Sequence, residues 1–411
     1  MEPTIGDRLA RIRHQSTLTQ EQLAEQAGVS VETIRKLEQN SRTSTSLPTL
    51  HALARALNVH TTALIGDTSQ AAARAEPDHR PLSLAEIRRA VAPVHGIDGA
   101  IVAAPTGDPP TLDVLRHRLR AADRAYHAND YATTLAALPG LLVDVRATAA
   151  AAADVDRAAA YTLLARTQHL TGNLLIQLRA GDLAQTALSG ALAAARESGN
   201  VVVSGTVIQG MCWLLMRQGR LVESAELAVS TADRIEPRFR QAAPGDLAAW
   251  GWLTMAASAS YARDNQPDMA AELVDAAAAA AARIGQRAPE AGHLIMVGGF
   301  DAGRVQMQRA ENAAVAGDPR RVLELSALVP PGPTPVGSSW QRHRLDVAWA
   351  HTELRQYAEA EQVLQGLRAG ASPWLRQQRY ARTIVDSIAT GRRRAMTADL
   401  AALAELVGST G

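Results

Sequence analysis

The stretch LTQEQLAEQAGVSVETIRKLEQN, Leu18 to Asn40, decides how the N-terminal part of this 411-residue chain folds. Thr19-Gln20-Glu21-Gln22 is a capping box, a Thr cap with Gln at the third helical position, so a helix starts here. Leu23, Ala24 and Ala27 supply its buried face. Gly28 ends it where the chain must turn sharply, since a positive φ costs glycine little. Val29 points inward, and Ser30 caps a third helix whose inner face is Ile34 and Leu37. Its outer side carries Val31, Glu32, Thr33, Arg35 and Lys36. Upstream, Ile5, Leu9 and Ile12 recur at helical spacing and predict a helix over Ile5 to His14. Downstream, SLPTLHALARALNVHTTALIG predicts two more helices, with Ser46 as a cap and Leu50, Leu53, Ala54 and Leu57 facing in.

Two helices crossing at a short Gly-bearing turn form a helix-turn-helix. Such a unit suits DNA: the third helix can enter the major groove, and the free N–H groups opening the second can hold a phosphate. Over Ile5 to Gly66 these residues closely resemble the phage-repressor or Cro-like family, the xenobiotic-response-element type. The resemblance implies a phosphate contact at Gln20. It places Val31, Glu32, Thr33, Arg35 and Lys36 at the bases, counts Ser30 among the DNA-binding residues, and makes Arg42, in the loop NSRTSTS, a further phosphate contact. The family usually has Gly after the third helix; Asn40 stands here, and Asn also tolerates the left-handed conformation. The alternative is a helical protein-interaction module, because Glu32 and Glu38 sit beside the basic residues.

Composition bounds the rest. Hydrophobic residues make up 47%, a globular level, but aromatics only 3%, so the core is built from Ala, Leu and Val, which favours packed helices. Net charge is +1, which leaves no global attraction to nucleic acid or membrane. Lys36 is the only lysine among 42 basic residues, so arginine abundance by itself says little about phosphate recognition. The single cysteine, Cys212, excludes an internal disulfide and reads as a small buried hydrophobe rather than a reactive thiol. The N-terminus has no apolar signal core, and no run is expected to approach the ~20 apolar residues of a membrane span. The expectation is a cytoplasmic protein.

Residues 67–111 read as a linker. EPDHRPLS and APTGDPP are Pro- and Gly-rich breaks flanking SLAEIRRAVAPV, a short amphipathic helix with Ile87 and Val91 on one side. From Leu115 onward the chain repeats itself: an Ala/Leu-rich helix, a small polar turn, a second helix. Taking Asp130, Asp182, Arg220, Gln266, Asp318 and Gln356 as landmarks, the gaps are 52, 38, 46, 52 and 38 residues. Tetratricopeptide units are about 34 residues long, so these are pairs of that kind with longer connections, about six of them. The segments GNLLIQLRAGDLAQTAL, LLMRQGRLVESAELA, AGDPRRVLEL and RHRLDVAWAHTELRQYAEAEQVL resemble actinobacterial regulators that join a Cro-like head to tetratricopeptide-like repeats. The architecture is also similar to that of Gram-positive peptide-pheromone receptors. The fold expected is all-α: a five-helix head over 1–66, a linker over 67–111, and an α-solenoid over 112–411.

A solenoid's concave face is lined by the first helix of each pair, and polar or aromatic stripes at helical spacing mark it. Arg166, His169, Asn173 and Gln177 align on one such helix. Thr206, Gln209 and Trp213 align on the next, and Trp250, Thr254 and Ser258 on the third. Arg304, Gln308 and Asn312 align on a fourth, with Asp346 and Trp349 following. Side-chain amides suit a peptide backbone because each can donate and accept. There is no His-Glu-x-x-His, no Walker loop and no dinucleotide glycine pattern, and the 11 histidines are scattered, so no catalytic function, metal or cofactor is expected. Two readings stand. One is an operator-binding homodimer whose solenoid takes a small effector, a signalling peptide, as in quorum sensing. The other is an effector-free or antitoxin-like regulator whose solenoid binds a protein.

Overall fold

The computed structural model describes residues 4–42, 45, 47–65, 84–97, 101–102, 108–285, 299–329, 338–392 and 396–409, apart from the side chains of Leu47, Pro48, Thr62 and Ile65. Ser46, expected as a cap, Gly66 at the end of the head, and residues 67–83, 98–100 and 103–107 of the linker lie outside the described residues.

The head is five helices: α1 Ile5–Gln15, α2 Gln20–Ala27, α3 Val31–Glu38, α4 Leu47–Ala56 and α5 Thr61–Ile65. Each of the first three starts where a side chain satisfies a free backbone N–H. Thr4 with Asp7 and Thr19 with Gln22 form capping boxes, and Ser30 accepts from the Thr33 N–H. Gly28 takes φ 63° between α2 and α3. Asn40 takes φ 56° after α3, as expected, and its amide ties that turn back to α1. Its Nδ2 donates to Asp7 at 3.0 Å and its Oδ1 accepts from Thr4 at 2.5 Å. Leu9, Leu23, Ile34, Leu37, Leu53 and Leu64 form the centre of a separate small core. α1 can cross α3 this closely only because residue 6 is glycine: a Cβ there would stand 1.9 Å from the Leu37 carbonyl oxygen.

A short helix, α6 (Ala85–Val91), follows, and then helix pairs. They are α7 Leu112–His127 with α8 Tyr131–Ala151, α9 Asp154–Gln177 with α10 Gly181–Glu197, and α11 Val201–Arg217 with α12 Leu221–Arg234. Next come α13 Pro244–Arg263 with α14 Pro267–Gly285, and α15 Ala302–Ala316 with α16 Pro319–Ala327. Last are α17 Ser338–Glu353 with α18 Tyr357–Arg376, and α19 Arg379–Gly391 with α20 Ala398–Val407. The described residues thus hold seven pairs where the sequence suggested about six. No β-strand forms among them; His95 and Ile101 make one isolated bridge.

Successive odd-numbered helices pack on one another from α7 to α19, which makes them the inner wall of an α-solenoid. Ile87, Ala90 and Val91 of α6 join the buried core of the first pairs, so this part of the linker is a docked helix. That core is contiguous with the buried side chains of α17–α20. The superhelix therefore turns tightly enough for its last pairs to meet its first. α8 is long and apolar enough to cross a membrane by length and composition, which the sequence reading did not anticipate; here Leu135, Leu138, Leu142 and Val145 are buried in that core.

Six of the turns within pairs share one device. Asn129, Arg179, Gly219, Asn265, Gly317 and Arg355 all have positive φ, between 59° and 78°. The next N–H in each case reaches back five residues: Asp130 to Ala125, Ala180 to Leu175, Arg220 to Leu215, Gln266 to Tyr261, Asp318 to Ala313 and Gln356 to His351. This is the Schellman closure of a helix C-terminus. It moves one landmark: the second turn closes at Ala180, two residues before Asp182. Arginine has no preference for the left-handed region. Arg355 is exposed, so Arg355→Gly is expected to stabilise the sixth pair by about 0.5–1 kcal/mol, read as a higher urea midpoint.

The head is seated on the solenoid by direct contacts. The His60 imidazole Nδ1 lies 3.1 Å from Oδ2 of buried Asp264, and Asn265 Nδ2 donates to the Val59 carbonyl at 3.4 Å. The Arg55 guanidinium covers Gly317, where a Cβ would stand 2.8 Å from its nitrogen. The turns that close the α13/α14 and α15/α16 pairs therefore form the seat. His51 of α4 is buried there, and desolvation, then Arg263 and Arg55, push its pKa down to about 3, so it is neutral.

Candidate functional site

On the head, the outer face of α3 is open. Glu32, Arg35 and Lys36 keep about half of their side chains exposed, at 52%, 50% and 55%. The two cations are not independent of the acid: Glu32 holds Arg35 at 3.1 Å and Lys36 at 3.5 Å. Ser30 is exposed at the cap, while Val31 and Thr33 are half-buried beside it. The Thr33 hydroxyl lies 2.8 Å from the Ser30 hydroxyl, so the first turn presents a paired hydroxyl edge.

Gln20 differs from its expected role. Its side-chain amide donates to Glu38 at 2.7 Å, and Glu38 also takes both the Nε and an NH2 of Arg13, at 2.7 and 2.9 Å. What Gln20 presents outward is its backbone N–H at the start of α2, the group suited to a phosphate. The Arg42 N–H caps α3 by donating to the Lys36 carbonyl at 2.9 Å, which keeps the residue beside the recognition helix.

On the solenoid the expected stripes divide. Thr206 and Thr254 are buried and donate back to the Val202 and Gly251 carbonyls within their own helices, so they face packing and not the groove. His169 is buried against Gly210 of α11, its Nε2 3.3 Å from Asn173 Nδ2, and burial pushes its pKa down to about 4. It is a neutral packing residue. Trp250 packs edge-on against Phe239 at 5.5 Å. Gln308 donates to Asn312 at 2.9 Å, Asn312 to Ser258 at 2.8 Å, and Ser258 to the Ala270 carbonyl at 2.7 Å. This relay pins α15 to α13. Arg304 lies against Gly299 at the other end of α15, where burial lowers its pKa.

The remaining members stand on the inner helices in different settings. Gln209 is half-buried on α11, and Gln177 meets the Tyr126 hydroxyl. Asn173 has a buried Oδ1 with no hydrogen-bond partner. Trp213 has Arg217 over its ring at 5.8 Å. Arg166 lines a ≈370 Å³ cavity with Arg116, Arg120, Thr162 and Asn200. Asp346 is 1% exposed and lies 3.5 Å from Arg342 Nε, and its pKa is raised because burial outweighs the arginine. Around Asp346 and Trp213 stand residues that sequence reasoning missed: Arg217, Arg263, Glu311, Arg342 and Tyr380. They come from five inner helices far apart in the chain, and no local pattern marks them.

Cys212 is wholly buried, and burial pushes its thiol up to about 12, so it is inert as expected. Among the described residues no three metal-ligating side chains gather.

Residues 9–64 match the family described as helix-turn-helix. The head is therefore a DNA-binding module of the Cro-like kind that transcription regulators carry. No curated protein and no solved structure matches the chain.

Glu32 is the group that restrains the recognition helix. Glu32→Gln frees both cations, so non-specific duplex binding should tighten a few-fold and its salt dependence should steepen by up to about one unit of log–log slope. Fluorescence anisotropy at several salt concentrations measures both.

Proposed function

We propose that the chain is a ligand-responsive transcription regulator. It reads a double-stranded operator as a homodimer through α3, and its solenoid binds a small effector, a signalling peptide, on the inner wall. The contacts to DNA are Gln20 through its N–H, Ser30, Val31, Glu32, Thr33, Arg35, Lys36 and Arg42. The observation that carries the reading is the seat: the helix-turn-helix rests on the turns that close two successive helix pairs, at Asp264–Asn265 and Gly317. A ligand shifts an equilibrium only by its difference in affinity for the two arrangements. A molecule that bridges several inner helices prefers one curvature. That curvature sets the relation between these two turns, and hence the orientation of the head. The seat leaves the outer face of α3 exposed, so docking positions the recognition helix without covering it.

Native mass spectrometry of the full chain tests this reading. The expected spectrum shows a dimer, and a small mass that leaves on gentle activation. A monomer at tens of micromolar, with and without operator, contradicts the dimer. A dimer carrying a protein partner in place of a small molecule favours the alternative.

A further inference from the structure

The ≈370 Å³ cavity opens between the first two inner helices, α7 and α9, and reaches the turn that leads into α11. Its volume is that of a small-molecule site. Arg116 and Arg120 line it from successive turns of α7, and Thr162 and Arg166 from successive turns of α9. Asn200 closes one end and is the N-cap of α11, so the positive end of a 17-residue helix borders the cavity as well.

Donors outnumber acceptors in this space. The Nε of Arg166 is out of contact with solvent and has no hydrogen-bond partner. Among the described residues nothing accepts from the guanidinium of Arg120 or from the Thr162 hydroxyl. The Asn200 Oδ1 takes the Val203 N–H at 3.1 Å, which leaves its amide N–H groups to donate. The neighbouring acids do not fill the gap. Asp113 holds Arg116 at 2.7 Å, but it is 90% exposed, and a pair in water neutralises little. Glu197 pairs with Arg157 at 2.9 Å. Asp123 lies 3.6 Å from His127 and makes no ion pair with an arginine among the described residues. Desolvation, and then Arg116, disfavour the charge on Arg166, and Asp123 only partly offsets them.

We propose that Arg116, Arg120 and Arg166 form a binding site for the phosphate of a small organic phosphate monoester. A guanidinium is suited to this because its fixed fork of N–H donors matches two oxygens at once. Arg120 and Arg166 bring two cations with no acid paired to them. A phosphate monoester, with a charge of about −1.5 to −2 at neutral pH, answers both, whereas a single carboxylate answers one. Leu119 and Leu163 add apolar lining for the organic part. An occupied cavity also fixes α7, α9 and α11 against one another, as an effector must. That use rests on the effector reading above; the site itself does not.

The test is calorimetric titration of the full chain, in a buffer free of phosphate, with phenyl phosphate and with benzenesulfonate. The second probe has the same tetrahedral head and ring but one charge. Phenyl phosphate should bind saturably, and benzenesulfonate at least ~tenfold more weakly. Arg120→Gln and Arg166→Met should each weaken phenyl phosphate at least ~tenfold, a loss of one charge-assisted contact. Arg234→Gln, exposed on the outer helix α12, should leave it unchanged. Arg120 is exposed and has no packing to lose, and circular dichroism melting checks that Arg166→Met is folded. Wild type that does not bind phenyl phosphate, or folded variants that bind it as wild type does, overturn the site. Equal binding of benzenesulfonate overturns its assignment to phosphate. Arg120-dependent binding with unchanged operator affinity keeps the site and overturns only its use by an effector.

Discussion

Glu38→Ala unfolds the head and leaves the solenoid folded. Glu38 and Arg13 are each only 8% exposed, and Glu38 receives two hydrogen bonds from Arg13 and one from Gln20. Removing one member of a buried pair costs about 3 kcal/mol or more, because the other charge is left without a partner. A domain of this size has only on the order of 3–9 kcal/mol in total. Hydrogen exchange should show lost protection over α1–α3 with unchanged protection over α9–α14. The same pair sets an acid limit. Burial raises the Glu38 pKa, but the Arg13 and Gln20 hydrogen bonds outweigh it and hold the carboxyl below its ordinary 4.5. Stability from this group is fully present above the unfolded value. It is lost as the pH falls through the lower, folded one. The head should lose stability as the pH falls below about 4.5, whereas near neutral pH, with Glu38 fully ionised, this group makes its full contribution and adds no pH dependence.

Replacing Arg35 and Lys36 together with Ala should weaken operator binding by about 1–3 kcal/mol or more. They are the only basic residues on α3. Their release also leaves Glu32 as an uncompensated negative charge facing the phosphates. Part of the loss is therefore repulsion, and the triple variant that adds Glu32→Gln should recover some of it. Anisotropy at fixed salt measures the series. Wild-type affinity in the double variant would mean that α3 does not enter the groove.

The head was legible because its signals are local. The caps at Thr19 and Ser30, the turn at Gly28 and the left-handed Asn40 are each decided within a few residues. The repeat turns were legible where Asn, Gly or Asp marked them. They slipped at Arg179, where the Gly181-Asp182 that follows drew the landmark two residues past the closure at Ala180. The inner face was legible only as a periodicity. A stripe at i, i+4 cannot tell a side chain aimed into a groove from one taken up by its own or a neighbouring helix, and Thr254, His169, Gln308 and Asn312 are of the second kind. The charged residues around Asp346 and the seat were not legible at all. His60 and Asp264 are 204 positions apart, and only the docking of the head on the α13/α14 turn brings them together.

The central claim is that this chain reads DNA as a paired helix-turn-helix. Selection of bound sequences from a random duplex library, with the full-length protein at physiological salt, tests it most directly. The expected enrichment is a two-fold symmetric site whose half-sites lie about 34 Å, one helical turn, apart or a multiple of that. The Arg35→Ala, Lys36→Ala protein should fail to enrich it. A library that stays random after repeated rounds, or one enriched equally well by that double variant, would contradict the account.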